Sequence, residues 1–282
     1  MKHVILDTDI GTDPDDMATL LLALKLDKQL ISLEAIVTSN ENNGKRARLV
    51  RRILDLYGKN VPIFQGAEYK GIGRLTYWMR DFPSNETFDT DFPTRTRQLA
   101  EQFPDVHYVG IGPMSNLAKT LQTYPELKGK LKVTQMGGFV REGIGKLFPF
   151  EYNFCLDIEA ARYCVDNTDA SSLVTLNATA NPAMAIFRHS KFYRELKSRG
   201  GVYELLAENY ASFYRRGIPA SFMNDPLTLF TLIGDYVGFY NSPVSIGRFG
   251  RVSLAREGNP IDISRSADYK RFMNFMTEVL FS

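Results

Sequence analysis

Short apolar runs alternate with amphipathic stretches along most of this chain. Residues 4–6, 33–38, 61–64, 106–111, 131–136 and 172–176 have the length and composition of buried strands. Between them, residues 16–26 place Met17, Leu20, Leu21 and Leu24 on one helical face. Residues 45–57 read as a helix closed by Gly58. Residues 94–102, a stretch beginning at Ser115, and residues 158–165 read as further helices. Residues 66–93 carry Gly71, Gly73, Pro83, Pro93 and many aromatics without a clear period, which predicts a long functional loop or flap. Residues 139–153 form a second Gly-rich, aromatic loop. From about residue 190 the pattern turns mostly helical up to Asn224-Asp225-Pro226. A short β-like segment at 244–246 and a last helix at 269–280 follow.

This alternation predicts an α/β fold. It is a single domain over residues 1–282, built on a doubly wound, mostly parallel, Rossmann-like sheet with additional C-terminal helices. No linker, composition break or internal repeat divides the chain. Ligands of such sheets bind beyond the carboxyl ends of the strands. Four polar segments fall there: residues 9–16, 39–43, 112–116 and 137–153.

The first of these changes the picture most. Asp7, Asp9, Asp13, Asp15 and Asp16 place five carboxylates within ten residues, where the first strand gives way to the first helix. Carboxylates this close repel unless something positive compensates them. No Lys or Arg lies between Asp7 and Met17. Helix capping and the helix dipole account for one or two acids. A bound divalent cation accounts for the set, and hard oxygen ligands favour Ca²⁺ or Mg²⁺ over Zn²⁺.

Bulk composition removes several function classes. Lys and Arg total 34 against 32 Asp and Glu, so nothing points to nucleic acid or an anionic membrane as partner. No apolar run approaches the roughly 18 residues that span a bilayer. Cys155 and Cys164 are too few for a disulfide framework and lack metal-site spacing. With no signal-peptide pattern after Met1, a cytoplasmic protein is expected.

The order of the motifs resembles the nucleoside hydrolase family, the N-ribohydrolases that cleave inosine, uridine and related nucleosides. Asp7-Thr-Asp9-Ile-Gly-Thr-Asp13-Pro-Asp15-Asp16 is similar to the family's D-T-D-I-G-x-D-x-D-D. Residues 111–116 (Ile-Gly-Pro-Met-Ser-Asn) are similar to T-G-P-L-T-N, and 135–138 (Gln-Met-Gly-Gly) to L-M-G-G. Glu151-Tyr-Asn153 with Asp157-Ile-Glu159-Ala-Ala matches E-F-N…D-P-E-A-A, and Asn224-Asp225-Pro226 matches H-D-P. Five matches in the correct order are far more specific than any one alone.

The resemblance implies a Ca²⁺ ion held by Asp9, Asp16, Asp225 and the backbone carbonyl of Ile111, with Mg²⁺ as the lesser alternative. Asp9 would be the general base on the attacking water. Asp15, an Asn after the second strand (Asn40 or Asn42), Met136, Glu151, Asn153 and Asn224 would contact the substrate. Asp7, by strand alternation on the face of Asp9, would orient ligands or neighbouring backbone. Tyr210 and Tyr214 share a helix face by their i,i+4 spacing; core packing explains that face first, and the alternative the resemblance implies is contact with the base. Tyr77 and Trp78 could close over it by stacking. A small-molecule nucleoside as partner, and a homodimer or homotetramer, are implied as well.

Two departures bear on chemistry. The family's frequent His before the metal-binding Asp is Asn224 here, and an amide cannot supply a proton. Leaving-group activation must come from elsewhere, or the substrate must carry a better leaving group. A further family Asn falls at Gly145 or Lys146. None of His3, His107 and His189 lies at a motif. Two rival readings stand beside hydrolysis. One is a catalytically impaired nucleoside or ribose binder. The other is a haloacid-dehalogenase-like phosphatase with D-x-D-x-T, although Gly11 stands where that motif has Thr.

Overall fold

The structure is a computed structural model and describes residues 1–68 and 81–282. In chain order the elements are β1 (Lys2–Thr8), α1 (Pro14–Leu26), β2 (Ile31–Thr38), α2 (Lys45–Tyr57), β3 (Ile63–Gln65), α3 (Phe92–Gln102), β4 (Val106–Gly110) and α4 (Ser115–Thr123). Next come β5 (Leu131–Met136), β6 (Phe139–Val140), α5 (Tyr152–Leu156), α6 (Ile158–Asp166), β7 (Ala170–Val174) and α7 (Leu176–Thr179). The chain continues through β8 (Ala185–Phe187), α8 (Lys191–Ser198), α9 (Val202–Arg215), β9 (Ala220–Phe222) and α10 (Asn224–Phe230). It ends with β10 (Val237–Ile246), β11 (Arg251–Leu254), β12 (Pro260–Ala267) and α11 (Tyr269–Phe281).

Among the described residues, ten strands make one sheet in the order β3-β2-β1-β4-β5-β7-β12-β10-β11-β6. From β3 to β12 every neighbour is parallel. Strand alternation in β1 sends Val4 and Leu6 to one apolar cluster and Ile5 to the other. The first cluster takes α1, α2, α9, α10 and α11; the second takes α3, α4 and α6. The mostly parallel, doubly wound sheet expected from the pattern is therefore present, with helices on both faces.

Two details differ from the sequence reading. Helix α1 buries Ala18, Leu22 and Ala23 as well as its expected stripe, because it lies between the sheet and the helices α9, α10 and α11. A helix covered on all sides needs no polar face. The β-like signal at 244–246 is the end of a ten-residue strand, β10, which pairs antiparallel with β12 and β11. These strands extend the sheet, yet Gly238, Asn241, Ser242 and Pro243 break the apolar pattern of β10. Most of β10 is only partly buried, so the apolar run that marks a central strand never forms.

Candidate active site

Strands β1 and β4 end side by side where the strand order reverses. A crevice opens at such a point in a doubly wound sheet. The chain leaving β1 turns directly into α1 and delivers Asp9, Asp13, Asp15 and Asp16 there. Helix α10 packs on α1 and adds Asn224 and Asp225. Asp15 Oδ2 accepts the backbone N–H groups of Asn224 at 3.2 Å and Asp225 at 3.3 Å. The Asp15 carboxylate thus caps α10 and ties two distant parts of the chain together.

Carboxylate oxygens of Asp15, Asp16 and Asp225 lie within 4.8 Å of one another, and all three residues are buried. The Thr8 hydroxyl donates to Asp16 Oδ1 at 2.6 Å. Burial pushes all three carboxyls well above their ordinary range, and repulsion among the neighbouring acids adds to it. Buried hard oxygens at this separation fit a divalent cation, whose charge would replace that repulsion by attraction.

Asp9 is buried beside the cluster. Its Oδ2 accepts from Asn40 Nδ2 at 3.3 Å and lies 4.0 Å from Arg46 Nη2. Arg46 is held in turn by the carbonyls of Asn40 (2.8 Å) and Ile10 (2.7 Å). Burial raises the Asp9 carboxyl; the Arg46 charge opposes that rise. Asn40 adopts the left-handed region (φ 51°), which Asn tolerates better than most residues. The turn after β4 approaches Asp9 so closely that a Cβ at Gly112 would sit 3.1 Å from the Asp9 amide nitrogen.

Asp7 lies deeper. Its Oδ2 accepts from the Tyr108 hydroxyl at 2.6 Å and its Oδ1 from Asn116 Nδ2 at 3.0 Å. Burial pushes its carboxyl up to about 7. With both oxygens engaged, Asp7 braces β1 against β4 and α4.

Another wall comes from the second Gly-rich loop. Glu151 caps α5: Oε1 accepts from Asn153 N–H at 2.8 Å, and Oε2 from Gly138 N–H at 2.8 Å and Phe154 N–H at 2.9 Å. Asn153 Nδ2 donates to the Ile111 carbonyl at 3.1 Å and the Met136 carbonyl at 3.2 Å. Asp9, Asp13, Asp15, Asp16, Ile111, Met136, Glu151, Asn153, Asn224 and Asp225 all line one cavity of about 480 Å³. Phe150, Leu176, Phe213 and Ile218 add apolar surface, and Arg216 adds a cation.

Other residues singled out in the sequence sit elsewhere. Asn42 is exposed, whereas Asn40 is buried on Asp9. Tyr210 is fully buried, with its hydroxyl 4.0 Å from Met223 Sδ; the Tyr214 hydroxyl donates to the Ile186 carbonyl at 2.8 Å. Their shared face packs on Tyr193, so neither lines the cavity. Gly145, Lys146 and the three histidines do not line it either. Tyr77 and Trp78 lie outside the described residues.

Arg46, Phe213 and Arg216 escaped the sequence reading. Arg46 did leave a trace: a cation in the first turn of a helix opposes the helix dipole and invites another explanation. The Glu41 carboxylate, which accepts from the Arg46 and Ala47 amides, offsets that cost. Phe213 and Arg216 left none, because nothing local marks which face of α9 meets a cavity.

A model of the inosine-uridine preferring nucleoside hydrolases matches residues 4–274. This chain belongs to that family. Among curated relatives, the non-specific ribonucleoside hydrolase RihC of Salmonella agona (strain SL483) is 29% identical over 235 residues, covering 71% of this chain and 74% of that protein. A purine-preferring ribonucleoside hydrolase from Gardnerella vaginalis has a similar structure (TM-score 0.81, 21% identity, 99% of this chain and 98% of that one). So does the plant nucleoside hydrolase PpNRh1 (TM-score 0.80, 20% identity, 100% and 99%). At such identities the two structures speak for the fold alone. As a nucleoside hydrolase the protein is a hydrolase of N-glycosyl bonds, and small-molecule nucleosides are its class of substrate. Among the described residues, no helix is long and apolar enough to cross a membrane.

Proposed function

We propose that this nucleoside hydrolase cleaves ribonucleosides to free base and ribose with the help of a Ca²⁺ ion, and that Asp9 is its general base. The observation that carries the reading is the convergence of the Asp15, Asp16 and Asp225 oxygens beside Asp9 at the switch point of the sheet. Asp9, Asp16, Asp225 and the Ile111 carbonyl would hold the ion. That carbonyl already accepts one bond from Asn153, and its second lone pair can serve a cation. When bound, the ion would orient ribose hydroxyls and acidify a water.

The chain's own residues do the rest. Asp9, held by Asn40 and Arg46, takes a proton from the attacking water. Asp15, whose Oδ2 caps α10 and whose carboxyl also hydrogen-bonds the Asp13 side chain, would turn to the sugar hydroxyls when substrate binds. The surrounding carboxylates favour the positive charge that develops on the sugar ring. Met136, Glu151, Asn153 and Asn40 shape the ribose side, and Asn224 stands at the leaving group. A homodimer or homotetramer in the cytoplasm completes the reading; the unpaired Cys155 and Cys164 agree with a reducing compartment.

Reducing-sugar release from a nucleoside panel tests this reading. Turnover should vanish on chelation and return with Ca²⁺; no release from any nucleoside with Ca²⁺ present would refute it. Stability should follow a matching pattern. A carboxyl whose pKa is raised by folding binds more protons in the folded state, so stability falls as pH rises. For Asp7 that window runs from 3.8 to about 7. Metal-free protein should therefore lose thermal stability between about pH 4 and 7. Ca²⁺ should raise Tm more at about pH 7.5 than at about pH 5, since only ionised carboxylates bind it well. Equal Ca²⁺ shifts at both values in a thermal melt would count against a carboxylate site.

A further inference from the structure

With Asn224 in place of a proton donor, something else must handle the departing base. Among the described residues, Arg216 is the only cation lining the cavity. It follows the last turn of α9, with its guanidinium carbon 5.3 Å from the centroid of the Phe213 ring. Its charge reaches Asp13, whose Oδ1 accepts the Ser221 hydroxyl at 2.7 Å. Phe213 and Ile218, on either side of it in the chain, line the same cavity. A flat apolar wall and a planar cation suit a flat heterocycle that gains negative charge. The Asn224 Oδ1, buried without a hydrogen-bond partner among the described residues, adds an acceptor for a ring N–H or an exocyclic amine.

We infer that Arg216 activates the leaving group by charge rather than by proton transfer, so that the base departs as an anion paired with the guanidinium. The inference rests on the nucleoside-hydrolase reading above. In the step, the C1′–N bond breaks and its electron pair stays on the base nitrogen. The water oxygen bonds to C1′, and a proton of that water passes to the Asp9 carboxylate. The negative charge of the base spreads onto its ring carbonyl oxygens, where the guanidinium meets it. Solvent protonates the base after release. The favoured substrates are nucleosides whose base carries its anion on a carbonyl oxygen.

Parallel kinetics on uridine, inosine and p-nitrophenyl β-D-ribofuranoside test this. Nitrophenolate leaves readily without help. Arg216→Met should lower kcat/KM about a hundredfold on uridine and inosine, the scale of one lost electrostatic contact, but only about threefold on the aryl riboside. Arg216→Lys should lose roughly tenfold on the nucleosides, since charge survives without the planar fork. Millimolar guanidinium should partly rescue the Met variant. Wild-type kcat on uridine should stay flat from about pH 7 to 9, where a His acid would lose its proton. Equal losses on all three substrates, or none on the nucleosides, would overturn the role of Arg216 and leave the hydrolase reading intact. A wild type that cleaves none of the three takes both down.

Discussion

Asp225→Ala protein is expected to lose Ca²⁺ and turnover together. Asp225 is the acid that joins the N-terminal cluster from α10, with oxygens within 4.8 Å of those on Asp15 and Asp16. Removing one charged ligand from a small hard-cation site weakens the site severely. We expect kcat/KM to fall by about a thousandfold or more, or roughly 4 kcal/mol of transition-state stabilisation. The metal-free variant should melt no lower than metal-free wild type at neutral pH. Asp225 is repelled there by Asp15, Asp16, Asp9 and Asp13, so its loss relieves strain in the absence of an ion. Metal analysis, kinetics and a thermal melt read the three effects separately. Normal Ca²⁺ content in the variant would remove Asp225 from the ligand set.

Asp9→Asn, assayed at Ca²⁺ concentrations that saturate the weakened site, should lower kcat by about a thousandfold while leaving KM within a few-fold, because the amide keeps the shape and an oxygen but cannot take a proton. In the wild type, activity should fall as pH drops through the Asp9 pKa, which burial raises and which the Arg46 charge and a bound Ca²⁺ would lower. The sign follows from the role: a base works only when deprotonated. That acid limb should be missing from the residual activity of the variant. An unchanged pH profile would mean that Asp9 holds the site together without handling the proton.

How legible the site was in the sequence varied with distance along the chain. Asp7 to Asp16 could be read directly, since five acids after a strand are conspicuous in a linear text. The neutral partners of those acids were not. Tyr108 and Asn116 reach Asp7 because β4 lies next to β1 in the sheet, a neighbourhood no local window contains. Asn40 against Asn42 was undecidable until the left-handed turn at Asn40 aimed one amide at Asp9 and left Asn42 exposed. Tyr210 and Tyr214 had two roles open to them, core packing and contact with the base, and their packing is that of the core. Their spacing correctly placed them on one face of α9, but that face meets Tyr193 rather than the cavity.

Read alone, the sequence determined the alternating α/β architecture, the acidic strand-to-helix turn, and the family motifs in order. All of these depend on short-range periodicity or on residues adjacent in the chain. Tertiary structure alone decided that β10, β11 and β12 extend the sheet, that Arg46 crosses from α2 to Asp9, and that Phe213 and Arg216 border the cavity. The physical reason is common to all three. Burial and charge pairing act through space, and partners separated by tens or hundreds of residues leave no mark in the sequence between them.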